Sequence, residues 1–190
     1  MKKLTLLFIL TIACSQLGVF ADSSYSVQSL PTPAGIVCEV TGLDYLDDGT
    51  LYICTRRGDV WAQKNGDWTR FAHGLHEPMG LLAGSGFAVI SQRPEVTRLV
   101  DEDGDGTADR YETICDQIAM EANFHQYNYG LVEGKITGNL HGILSCSGLS
   151  KSDGSPASAN GFSPIPYRIW SYQITPSGEF RPWSSGLRTA

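Results

Sequence analysis

Asp101, Asp103, Asp105, Asp109 and Glu112 set carboxylates at positions 1, 3, 5, 9 and 12 of one twelve-residue stretch, with Gly106 at position 6 and Thr107 at position 7. That is the spacing of a calcium cage. Ca²⁺ is a hard cation that takes about six to eight oxygens, so carboxylates on alternate residues and the Thr107 carbonyl can wrap it while Gly106 allows the sharp turn. The expected ligand set is Asp101, Asp103, Asp105, Thr107, Asp109 and Glu112. The alternative is an acidic, solvated turn, because Asp and Gly favour turns without any metal. The flanks at 95–100 and 110–115 alternate in polarity and are rich in β-branched residues, which predicts that the loop joins two strands rather than two helices.

The elements that must hold this loop are short strands punctuated by glycine. Val40 to Leu46 reads as a strand running into the turn Asp47, Asp48, Gly49. Thr50 to Thr55 follows, Arg57-Gly58 turns, Asp59 to Lys64 is a third strand, and Asn65-Gly66 is a hairpin signal before Asp67 to Ala72. Four antiparallel strands in about thirty residues make one propeller blade. A second unit opens at Gly80, turns at Ala83 to Gly86, continues through Phe87 to Ser91 and Val96 to Val100, and carries the acidic loop at 101–112. A third begins at Tyr129, turns at Glu133-Gly134 and is expected to continue from Lys135 to Leu140. Residues 150–166, rich in Ser, Gly and Pro, read as an insertion loop within the third blade. The expected fold is all-β, an incomplete β-propeller of about three four-stranded blades over residues 40–190.

The segment Gly66 to Leu75 reappears as Gly178 to Leu187 at an offset of 112, with glycines, an acidic residue, aromatics and leucine in step. Repeat units need neighbours to cover their apolar faces, and three blades do not close a ring. The chain therefore reads as the N-terminal part of a larger protein, with downstream domains as its partners.

Lys2, Lys3, the apolar run Leu4 to Ala13 and Val19-Phe20-Ala21 have the layout of a signal peptide at 1–21, which predicts export to the periplasm or medium, with residues 22–39 as a lead-in. Lipoprotein processing at Cys14 is the alternative. No later segment is apolar for long enough to be a transmembrane helix. Without residues 1–21, Lys+Arg falls from 14 to 12 against 20 Asp+Glu, a net charge of −8. That balance excludes a nucleic-acid partner, which needs a basic surface. Cys38, Cys54, Cys115 and Cys146 allow one or two disulfides, with all pairings open.

Other residues offer weaker chemistry. His73, His76 and Glu77 have a metal-like spacing, but they sit on a loop beside Pro78, where three-residue spacing has no helical meaning. Arg56 and Arg57 are turn cations that can also meet an anion. His141 reads as a hydrogen-bonding residue at a strand end, and Trp61, Trp68, Trp170 and Trp183 as blade packing.

Residues 43–61, 99–109, 125–130 and 185–188 carry a resemblance that spans roughly residues 35–190. The chain resembles the exported glucose/sorbosone dehydrogenase-like β-propellers, in particular the large planctomycete-type membrane-bound dehydrogenase-like members, which are often followed by helical-repeat and cytochrome c segments. The resemblance implies a six-bladed propeller whose soluble quinoprotein relatives bind pyrroloquinoline quinone and calcium and oxidise sugars or other polyols. It implies His125 as the general base that takes the substrate hydroxyl proton, a task suited to an imidazole. Two positions depart from the family pattern: Phe124 stands where an aspartate precedes the catalytic histidine, and Thr50 where a glutamine meets the quinone. The family's quinone-holding arginines and lysine would fall beyond Ala190. In the sugar dehydrogenases other loops hold the active-site metal, so Ca²⁺ at 101–112 is expected to be structural.

Overall fold

The structure is a computed structural model that describes residues 25–120, 126–144 and 166–187. The chain divides at Thr32 and Pro33, and every described strand lies in the unit that begins at Pro33. The first sheet contains β1 (Val40–Tyr45), β2 (Leu51–Thr55), β3 (Val60–Lys64) and β4 (Asp67–Ala72). The second contains β5 (Gly80–Gly84), β6 (Phe87–Ser91), β7 (Val96–Val100) and β8 (Arg110–Cys115), and the third β9 (Asn128–Glu133), β10 (Leu140–Leu144), β11 (Ser171–Ile174) and β12 (Phe180–Ser184). Each is a four-stranded antiparallel meander in chain order, with no helix among the described residues. The all-β expectation holds, and each sheet is one blade, with β1, β5 and β9 the neighbouring strands of successive blades.

Strand alternation explains the stacking. On β6, Ala88 and Ile90 point into a core shared with Tyr52, Cys54, Val60 and Phe71 of the first blade. Val89 points the other way, into a core with Leu131, Leu144, Tyr172 and Ile174 of the third. A period of two thus lets one sheet bury both faces. The second core contains one polar pair, where the Tyr172 hydroxyl donates to Asn128 Oδ1 at 2.5 Å. Burial pushes that phenol well above its ordinary range.

Turn chemistry sets most boundaries. Asn65 and Gly66 both have positive φ, 54° and 95°, as a two-residue hairpin turn requires. The repeat is real in three dimensions: β4 and β12 are the fourth strands of their blades, and Gly66, Gly74, Gly178 and Gly186 all take positive φ. Two expectations shift. The turn expected over Ala83 to Gly86 shrinks to Ser85-Gly86, because Gly84 pairs with Phe87 and the ring lies across the space a Gly84 side chain would need. Lys135 to Leu140 is not a strand. The Thr137 and Gly138 amides both donate to the Gly134 carbonyl, Gly138 takes φ 68°, and Ile136 is fully exposed, so a loop closes here and the strand begins at Leu140.

At the first hairpin, Lys64 Nζ lies 2.6 Å from Asp48 Oδ2, and this hydrogen bond, with those from Thr50, pushes the Asp48 carboxyl down to about 2. A depressed carboxylate stabilises the fold above its ordinary value, and the gain disappears as pH falls through the folded value. Lys64→Met is expected to return Asp48 toward 3.8, read by NMR titration, and to leave the variant less stable than wild type at pH 7 but not below about pH 2. An unchanged Asp48 titration would remove Lys64 as the cause.

Candidate functional site

The acidic loop joins β7 to β8, two strands in register from Val100 opposite Arg110 to Thr97 opposite Thr113, with a register shift before Val96 opposite Cys115. Gly104 and Gly106, at φ 80° and 87°, let the backbone fold over Asp101. The Gly104 and Gly106 amides donate to the two Asp101 oxygens at 2.7 and 3.0 Å, and the Glu102 amide donates to Asp109 Oδ2 at 2.8 Å. Asp101, Asp103 and Asp109 each turn a carboxylate oxygen to one point, all within 4.8 Å of one another. No other group of acidic, His or Cys side chains converges in this way among the described residues.

The remaining sequence-expected ligands stand at different distances from that point. Asp105 accepts from the Thr107 amide at 2.8 Å, inside the loop but outside the convergent trio. Glu112 sits on β8 opposite Arg98 and pairs with Arg110, so the ladder holds it along the strand. The trio fits a hard cation, with carboxylate oxygens on positions 1, 3 and 9 aimed inward and exposed to solvent on one side.

The loop also reaches the first blade. The Ala108 amide donates to the Phe71 carbonyl at 2.7 Å, Ala108 packs on the first core, and Gly106 lies beside Thr69. Tyr111, just past the loop, donates to the His73 carbonyl and accepts from the His73 amide, both at 3.1 Å. The 101–109 loop and the seam between β4 and β8 are therefore joined by direct contacts.

The strand ends opposite this loop hold a second constellation that sequence reading missed. Glu77 accepts from Arg56 at 3.2 Å and from Arg93 at 2.6 Å. Arg56 also donates to the Tyr127 hydroxyl at 2.6 Å, and both guanidiniums lie over the Tyr127 ring at 5.5 and 5.4 Å from its centroid. Glu77 takes φ 46° although it precedes Pro78, a position that prefers extended backbone. Strain of this kind persists only where surroundings over-determine it, here through two arginines. Arg56, as a possible anion contact, and Glu77, beside the histidines, were singled out separately, but not their meeting, because the cluster joins residues 71 positions apart.

Other candidates separate. His125 and Phe124 lie outside the described residues, two and three positions before Tyr127, as do the signal segment, Cys14, Cys146 and residues 150–165 of the insertion. His73 and His76 do not converge on a metal point with Glu77: the His76 amide donates to Gln92 Oε1, and Glu77 is taken by the arginines. His141 pairs opposite Val132, toward the end of β9 away from Asn128, with its ring against Trp183. Thr50 is buried at the start of β2, its amide on Asp48, at the strand ends opposite Arg56. Cys38, Cys54 and Cys115 carry free thiols, and burial pushes Cys54 up to about 11.

No protein-family model matches the sequence, and no curated protein matches it. Solved structures do. The chain is similar to a Thermus thermophilus protein assigned as an oxidoreductase (glucose dehydrogenase), at 20% identity and a TM-score of 0.53, covering 75% of this chain and 45% of that one. It is also similar to a luciferin-regenerating enzyme at 14% identity and a TM-score of 0.49, covering 78% of this chain and 46% of that one. The first likeness shows the β-propeller fold. The chain spans about half the length of each of these two proteins. Among the described residues no helix is long and apolar enough to cross a membrane.

Proposed function

We propose that this chain is the N-terminal part of an exported, dehydrogenase-like β-propeller whose first two blades are stapled by Ca²⁺ in the 101–112 loop. The convergence of Asp101, Asp103 and Asp109 beside a seam held by Ala108 and Tyr111 carries the calcium part of the reading. Because the loop closes strand ends opposite those near Tyr127, the ion acts on structure and not on substrate. In this reading Asp101, Asp103 and Asp109 are the principal ligands and the Thr107 carbonyl and Asp105 complete the wrap, while Glu112 stays on β8 against Arg110.

The dehydrogenase part rests on the fold and on the family resemblance, which implies His125 as the base that accepts a sugar or polyol hydroxyl proton. Pyrroloquinoline quinone, implied by that resemblance, supplies a hydride acceptor when bound and needs cations for its carboxylates. At the strand ends near Tyr127 the described cations Arg56 and Arg93 are both engaged by Glu77, and Thr50 is buried at the other end. The described residues do not form a cradle for the quinone.

That disposition favours a second reading, a non-catalytic calcium-stabilised propeller that binds carbohydrate or a protein partner; a fold alone does not fix activity. A dye-linked assay on aldoses with the full-length exported protein, with quinone and Ca²⁺ supplied, separates the two. The enzyme reading expects turnover that His125→Ala lowers by about 100-fold or more, the scale of a lost general base. No turnover by the wild-type protein leaves the binding propeller.

A further inference from the structure

Two arginines and a glutamate meet over Tyr127, and the glutamate is held there against its backbone preference. Arg56 follows β2, Glu77 lies in the link from β4 to β5, Arg93 follows β6 and Tyr127 leads into β9, so their contacts join blades that are all described. Arg56 Nη2 donates to Glu77 Oε1 at 3.2 Å and Arg93 Nη1 to Oε2 at 2.6 Å, which gives each carboxylate oxygen its own guanidinium. Tyr127, 8% exposed, lies beneath both cations as an aromatic floor, and its hydroxyl holds Arg56 at 2.6 Å. The cluster is open to solvent from above: the Arg56 side chain is 47% exposed and that of Glu77 25%.

Guanidiniums aimed at the two oxygens of one carboxylate are the means by which proteins take up carboxylate ligands, because the charge-assisted bonds fix both position and orientation. Here the carboxylate comes from the chain itself, and the strain falls on it alone. Glu77 takes φ 46° directly before Pro78, where the ring crowds the preceding residue toward extended backbone. Arg56, Arg93 and Tyr127 all keep negative φ. The site is therefore built without strain and its occupant is not. Release of the Glu77 carboxylate frees that residue to leave the left-handed region, so an incoming carboxylate that replaces it meets a weakened competitor.

We propose that Arg56 and Arg93 form a binding site for a small organic carboxylate, and that Glu77 is an internal occupant which such a ligand displaces. The site requires neither the quinone nor His125, and it stands whether the propeller catalyses or only binds. An internal carboxylate that fills the site for about nine-tenths of the time weakens the apparent affinity for a ligand about tenfold, since only the open fraction can bind. Glu77 thus sets the concentration at which the site responds.

The test is titration calorimetry of the full-length exported protein with sodium D-gluconate as the carboxylate probe and D-glucose as its uncharged control, at fixed ionic strength. Glu77→Gly removes the occupant and accepts the positive φ without strain. It is expected to bind gluconate about tenfold or more tighter than wild type, with glucose binding unchanged. Glu77→Gln, which keeps the size of the side chain and loses its charge, is expected to shift in the same direction, so the result does not depend on the folding of one variant. Adding Arg93→Gln to either variant is expected to weaken gluconate binding by more than about tenfold, the scale of a lost hydrogen bond to a charged group. Circular dichroism and melting accompany each titration. Variants that fold but bind gluconate no tighter than wild type, even with a lowered melting temperature, assign the cluster a purely structural role and overturn the proposal. A gain that survives Arg93→Gln, or an equal gain for glucose, overturns it as well.

Discussion

Chelation of Ca²⁺ is expected to lower the melting temperature, and Asp101→Asn or Asp109→Asn is expected to abolish the response to the metal. Three carboxylates whose oxygens lie within 4.8 Å repel one another, at about 1 to 4 kcal/mol per pair between the water and protein-surface limits. A divalent cation adds an attraction to each carboxylate that offsets this repulsion. An ion present at about 100 times its dissociation constant adds about 2.7 kcal/mol if it binds only the folded chain. For a domain of this size that corresponds to a rise of about 5 to 10 °C. In Asp109→Asn the amide oxygen still accepts from the Glu102 amide, so that variant separates loss of charge from loss of the turn, whereas Asp101→Asn also gives up one of the two bonds from the Gly104 and Gly106 amides. Melting that is identical with calcium and with chelator would reduce the loop to a solvated acidic turn.

Gly80→Ala is expected to be strongly destabilising although it adds a single methyl group. The added carbon would stand 2.5 Å from the Gly130 carbonyl carbon and 2.6 Å from Ser91 Oγ. The serine can rotate, although it gives up its bond to the Asn128 carbonyl, but the β9 backbone cannot move without opening the seam between the second and third blades. Overpacking costs about 1 to 3 kcal/mol where side chains can yield, and backbone that cannot yield puts this change at or above the upper end. Chemical denaturation would read it as a lower midpoint. A loss below about 0.5 kcal/mol would mean that the inner strands are less closely seated than described, since that is the scale of an inconsequential surface change.

The strands were legible because their signals are local. Alternation over four to six residues and turn dipeptides such as Asn65-Gly66 fix β4, β6 and β7 at the expected bounds. The offset of 112 correctly matched β4 with β12, since both must present the same face to a neighbour. Lys135 to Leu140 misled because Ile136 mimics a strand position, whereas the deciding features are backbone bonds to the Gly134 carbonyl that no residue type announces. The acidic loop was legible as a set of ligands, but not which three converge: that depends on how the β7–β8 ladder carries Glu112 away along the strand. Arg56 and Glu77 each stood out in the sequence, but their meeting with Arg93 and Tyr127 was not legible, because the four are far apart in the chain and come together only when the sheets pack.

The calcium staple is the claim on which the structural role of this loop depends, and equilibrium titration calorimetry of the chelator-treated chain with CaCl₂ tests it most directly. The expected result is one Ca²⁺ per chain, with a dissociation constant no weaker than the roughly millimolar limit of extracellular modules, and no binding heat in the Asp101→Asn, Asp109→Asn double variant. Absence of binding to the wild-type chain at several millimolar calcium, or binding that the double variant retains, would contradict it.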